Sequence, residues 1–147
     1  MAAALLRRDA RAVSDGSYKE GHGTSAFVLH GDRPDKAIRG ANVVPGSTAE
    51  QCAYRSELCG VVGILTVVEA LCEQCGLTEG HIEIGLDGES VIKRLQSPVP
   101  AMPKDKHYDL LLDCKERINA IPIGVSFRWI EGHQDDKGGE QGRRLDW

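Results

Sequence analysis

Apolar and polar positions follow two different periods along this chain, and the switch between them marks out its elements. Arg11–Ser17 reads as a short strand ending at Asp15-Gly16, and Thr24–His30 as a second strand rich in β-forming residues. Gly21-His22-Gly23 and Gly31–Asp35 are turn chemistry, and Ala37–Val44 is a third strand. Such short connections predict an antiparallel meander. Pro45-Gly46 ends it, and Ser47-Thr48-Ala49-Glu50 has the spacing of a capping box opening a helix. From there to Cys75 the apolar positions Leu58, Val61, Val62, Leu65, Val68 and Leu71 form one helical stripe, closed by Gly76.

His81–Leu86 alternates as a strand and leads into a helix over Glu89–Gln96. After a loop with Pro98, Pro100 and Pro103 comes a helix over Tyr108–Ala120, then a fifth strand over Val125–Ile130. The order β-β-β-α-β-α-α-β predicts an α/β fold: a mixed sheet with helices packed on its faces.

A chain of 147 residues with 41% hydrophobic positions fits one domain, 1–147, with an ordered core over about 11–136. The polar, glycine-containing stretch 137–147 is expected to be a mobile tail. The net charge of −4 argues against a broad basic surface for nucleic acid, but not against a site where carboxylate-held cations meet phosphate. The apolar run at the N-terminus is too short for a signal peptide or membrane span, and Asp9 follows its arginines at once. Five cysteines without a framework fit reduced thiols. An intracellular monomer, cytoplasmic or nuclear and without a membrane partner, is the expectation.

Four acidic motifs lie at element boundaries: Ser14-Asp15-Gly16-Ser17, Arg55-Ser56-Glu57-Leu58, Leu86-Asp87-Gly88-Glu89-Ser90 and Trp129-Ile130-Glu131-Gly132-His133-Gln134-Asp135-Asp136. A carboxylate beside glycine at a strand end packs poorly but holds a cation well. In this order, over roughly Ala12–Asp136, the motifs resemble the ribonuclease H domain, most closely those of retrotransposon reverse transcriptases. The resemblance implies a five-stranded mixed sheet, Asp15 in mid-strand, and convergence of Asp15, Glu57 and Asp87 as metal ligands and catalytic residues. It implies two Mg²⁺ (or Mn²⁺) ions, endonucleolytic hydrolysis of the RNA strand of an RNA–DNA hybrid, and a polymerase region as an upstream partner. His133 would be the family's proton-transfer histidine. The chemistry is coherent: two hard ions about 4 Å apart activate water and stabilise a leaving oxygen, and Asp and Glu suit such ions where Cys does not. Clustered carboxylates without metal raise at least one pKa.

Each residue also has a plainer reading. Asp15 could be a turn aspartate, Glu57 a solvated helix residue, Asp87 the N-cap of the next helix, and His133 an idle loop histidine. Lys93, Arg94, Lys104 and Lys106 read as a basic face that could touch a nucleic-acid backbone, and Trp129 as core or substrate-facing. The other histidines read as surface residues, and Cys72-Glu73-Gln74-Cys75, with no second pair, as a helix end rather than a zinc site. The family's closing helix carries an N-x-x-x-D pattern that this sequence lacks; Asp146 does not match it, so a fourth metal ligand and the full closing helix are expected to be missing. A fold-preserving domain without catalysis, binding nucleic acid or acting as a scaffold, is the second reading.

Overall fold

In the computed structural model, residues 1–32 and 36–131 are described. His133, Asp135, Asp136, Asp146 and the tail lie outside the described residues. Strand β1 (Ala10–Lys19) is the centre of the architecture, antiparallel to β2 (His22–His30) and parallel to β4 (His81–Leu86). With β3 (Ile38–Val43) and β5 (Gly124–Trp129) the sheet runs β3-β2-β1-β4-β5, the mixed five-stranded arrangement expected. The meander is confirmed, but β1 does not end at Gly16. It runs on to Lys19 because β2 pairs with it as far as Lys19↔His22. The turn is Glu20-Gly21, one residue earlier than expected, with both φ values positive (52° and 80°) as a two-residue hairpin requires.

Helix α2 (Ala53–Cys75) packs on the sheet through Leu58, Val61, Ile64, Leu65 and Val68, all fully buried. Each such side chain contributes roughly 1.5–3 kcal/mol of burial. By length and composition α2 could also cross a membrane. In this fold its apolar stripe is covered by the sheet and by α4 (Tyr108–Ala120). The capping box at Ser47 forms as read, but it closes only the 3₁₀ turn Thr48–Glu50; α2 begins at Ala53. A C-cap glycine, Gly76 (φ 63°), ends the helix as expected.

Three features were not anticipated. A one-turn helix, α1 (Ala2–Leu6), tucks Ala4 and Leu5 into the core against α2 and β4. Two of the histidines are also more than surface residues. His107 stacks on Tyr54 and lies 3.2 Å from Cys52 Sγ, and His81 Nε2 lies 2.8 Å from Ser126 Oγ. Arg94 of helix α3 (Glu89–Gln96) is not a free basic surface either. It donates to the Val99 and Pro100 carbonyls and pairs with Asp105 at 2.9 Å, pinning the proline loop.

Candidate active site

Parallel strands β1 and β4 deliver Asp15 and Asp87 toward the same end of the sheet, Asp15 within β1 and Asp87 one residue beyond β4. Glu57 comes from the first turns of α2, and small residues bring that helix down onto β1. A Cβ on Gly60 would collide with the Ser14 hydroxyl, and one on Gly16 would stand 2.8 Å from the backbone of Ser56 and Glu57. Ser56 Oγ donates to the Ser17 carbonyl at 3.0 Å, tying the helix to the strand one residue before Glu57. Ser14 and Gly16 therefore face α2, and by the two-residue alternation of a strand Asp15 projects to the other side.

The structure brings Glu57 and Asp87 into hydrogen-bond contact, with Asp15 close enough to act through its charge. Burial, the bond to Asp87, and the charges of Asp87 and Asp15, in that order, push the Glu57 carboxyl up to about 9. The rise favours the protonated form of Glu57, the form that can share its proton with Asp87. Among the described residues, no three His, Cys, Asp or Glu side chains stand ready to hold a metal ion. The donor set, all carboxylate oxygens, is right for a hard divalent cation.

Asp87 is not the N-cap of α3. That position is Gly88, which makes no side-chain cap. Gly88 has a different purpose: a Cβ there would occupy the place of Glu57 Oε2. Its φ of −88° suits any residue, so Gly88→Ala is expected to fold and to push the Glu57 carboxylate aside. Separation of the two carboxyls is expected to bring the Glu57 titration down from about 9, with a nearly unchanged melting temperature. A Glu57 titration unchanged in this variant would show that Gly88 does not set the place of its carboxyl.

Trp129, which the sequence leaves open between core and substrate-facing, is 52% exposed and its indole N–H donates to the Asp87 carbonyl at 3.1 Å. Nothing in the spacing of its neighbours marks that bond. A separate cavity of about 460 Å³ lies at the other end of β1 and β4, lined by Arg8, Arg11, His30, His81 and Glu83 among others, away from the carboxylates.

No protein-family model and no curated protein matches this sequence. Solved structures do. LC11-RNase H1, in complex with an RNA/DNA hybrid, superposes with a TM-score of 0.69 at 11% identity, covering 87% of this chain and 89% of that one. RNase H1 from the halophilic archaeon Halobacterium salinarum gives 0.60 at 13% identity, covering 86% and 89%. The protease–reverse transcriptase of prototype foamy virus gives 0.59 at 13%, covering 94% of this chain and 19% of that one. The chain has the ribonuclease H fold.

Proposed function

We propose that this chain is a metal-dependent endonuclease domain that hydrolyses the RNA strand of RNA–DNA hybrids. The observation that carries this reading is Glu57, a helix carboxyl bonded to Asp87 in the field of Asp15, with its pKa raised to about 9. A packing role does not favour such mutual repulsion; a cation site does. The likeness in fold to a ribonuclease H1 solved with an RNA/DNA hybrid supports the substrate class.

Asp15, Glu57 and Asp87 would hold two Mg²⁺ or Mn²⁺ ions, whose chemistry there would be to activate water and neutralise charge on the phosphodiester. Glu57 would serve as an ionised carboxylate, its proton passing to solvent, and Asp87 would supply a second oxygen donor beside it. Asp15, held in the β1 ladder opposite Ala26, would supply a further donor. His133 is assigned the transfer of a proton at the leaving oxygen, a task its ordinary pKa range suits. Selection of RNA over DNA rests on helix shape and the 2′-hydroxyl, with little reading of bases. The biological setting proposed is an intracellular, monomeric, retroelement-derived domain working beside a polymerase region.

A second reading, a fold-preserving domain without turnover, is favoured by one observation: Glu57 is closed on Asp87, and the described residues form no ready metal cluster. An end-labelled RNA–DNA hybrid incubated with the protein and Mg²⁺ separates the two. Internal cuts in the RNA strand support the hydrolase. An intact RNA strand, with the protein folded, supports the second reading.

A further inference from the structure

We infer that Trp129 is a positioning residue, holding the Asp87–Gly88 bend that places the third carboxylate; this rests on the hydrolase reading above. The β4–β5 ladder ends at Leu86↔Trp129, and one more backbone bond, Ile130 N to Leu86 O at 2.8 Å, closes it. Asp87 lies just past that ladder, where β5 offers no further strand residue. The Trp129 indole reaches across instead and donates to the Asp87 carbonyl at 3.1 Å.

The exposure of this ring makes the bond more informative. A tryptophan normally contributes by burying its large apolar surface, yet Trp129 remains half in solvent at the end of an edge strand. Its bond fixes the orientation of the peptide joining Asp87 to Gly88. That one peptide sets two things: where the Asp87 carboxylate points, and whether Gly88 presents its bare Cα to Glu57. Gly88, the N-cap of α3, has no side chain of its own to steady the bend. Groups that orient metal ligands through hydrogen bonds typically change metal affinity about 10–100-fold when removed.

Trp129→Phe keeps most of the ring and deletes the donor. In the full chain, three readouts apply: the Gly88 amide resonance, which reports on the Asp87 carbonyl; Mg²⁺ affinity by calorimetry; and the metal-free melting temperature. The expected result is a shifted Gly88 resonance and a Mg²⁺ affinity about tenfold weaker, with melting nearly unchanged. An unmoved Gly88 resonance with wild-type Mg²⁺ affinity overturns the inference and leaves the hydrolase reading intact. A shifted Gly88 resonance where neither protein binds Mg²⁺ upholds the hold on the bend and removes the hydrolase reading. If Trp129→Phe does not fold, indole hydrogen exchange in the wild type decides: protection of the Trp129 N–H supports the bond, and exchange at the rate of free indole overturns it.

Discussion

Glu57→Gln is expected to stabilise the metal-free protein at pH 8 while reducing hybrid cleavage by at least about a thousandfold, as loss of a central catalytic group does. The stabilisation follows from the proton. Glu57 has an ordinary pKa near 4.5 when unfolded and about 9 when folded, so folding takes up a proton between those values. Its contribution is fully present below about 4.5 and is lost as the pH rises through 9. The undiscounted slope is about 1.4 kcal/mol per pH unit. Partial solvent exposure and sharing of the proton with Asp87 reduce the total at pH 8 to about 2 kcal/mol.

Glutamine has the shape of the protonated acid, keeps an N–H for Asp87 and cannot ionise. The variant should therefore melt about 4–8 °C higher at pH 8, with a flatter pH profile between 5 and 9. Calorimetric melts across that range check it. A melting temperature at or below wild type, with the same pH slope, contradicts the account of the cluster. Mg²⁺ should cancel the wild-type deficit and release about one proton per site filled.

Arg55→Ala is expected to cost about 3 kcal/mol, lowering the melting temperature by roughly 6–12 °C. Arg55 is 1% exposed, and its guanidinium donates to both Asp109 oxygens at 2.9 and 2.7 Å and to the Pro45 carbonyl at 2.7 Å. One side chain thus joins the start of α2, the start of α4 and the loop after β3. Truncation removes the shorter bond to the Pro45 carbonyl, which keeps a 3.3 Å contact from Gln51 Nε2, and leaves a cavity, whereas Asp109, more than half exposed, can rehydrate. Arg55→Lys should recover only part of the loss, because an ammonium cannot form the two-pronged contact. The pair also contributes to stability in acid. Asp109 is held at about 2, so its contribution is present above about 3.8 and lost as the pH falls through 2. Differential scanning calorimetry measures these shifts; an Arg55→Ala protein melting like wild type would remove Arg55 from the scaffold of the site.

Much of this could be read from the residues because burial imposes a period. The stripe from Leu58 to Leu71 allowed little other than a helix on a sheet, and strand–turn punctuation located β2, β3, β4 and β5 to within two residues. Glu57 and Asp87 lie against each other in the structure. Asp15 is more distant in role, felt through its charge. What stayed hidden depends on approach in space. Gly16 and Gly60 look like ordinary glycines until α2 is laid across β1, and Gly88 looks like loop chemistry until Glu57 arrives beside it. α1 has five residues and no side-chain cap, and it exists through the pockets that take Ala4 and Leu5. Trp129 has no local signal because its partner lies 42 residues away in sequence.

The decisive measurement is cleavage of an end-labelled RNA–DNA hybrid, in Mg²⁺ and separately in Mn²⁺, with wild type beside Asp15→Asn. Asp15→Asn removes one donor charge from the middle of β1 without changing the volume of the side chain. Internal cuts in the RNA strand that need the metal and vanish in Asp15→Asn are the result expected. Cuts that persist in Asp15→Asn, or an intact RNA strand with a folded wild-type protein, would contradict the assignment of these carboxylates to phosphodiester hydrolysis.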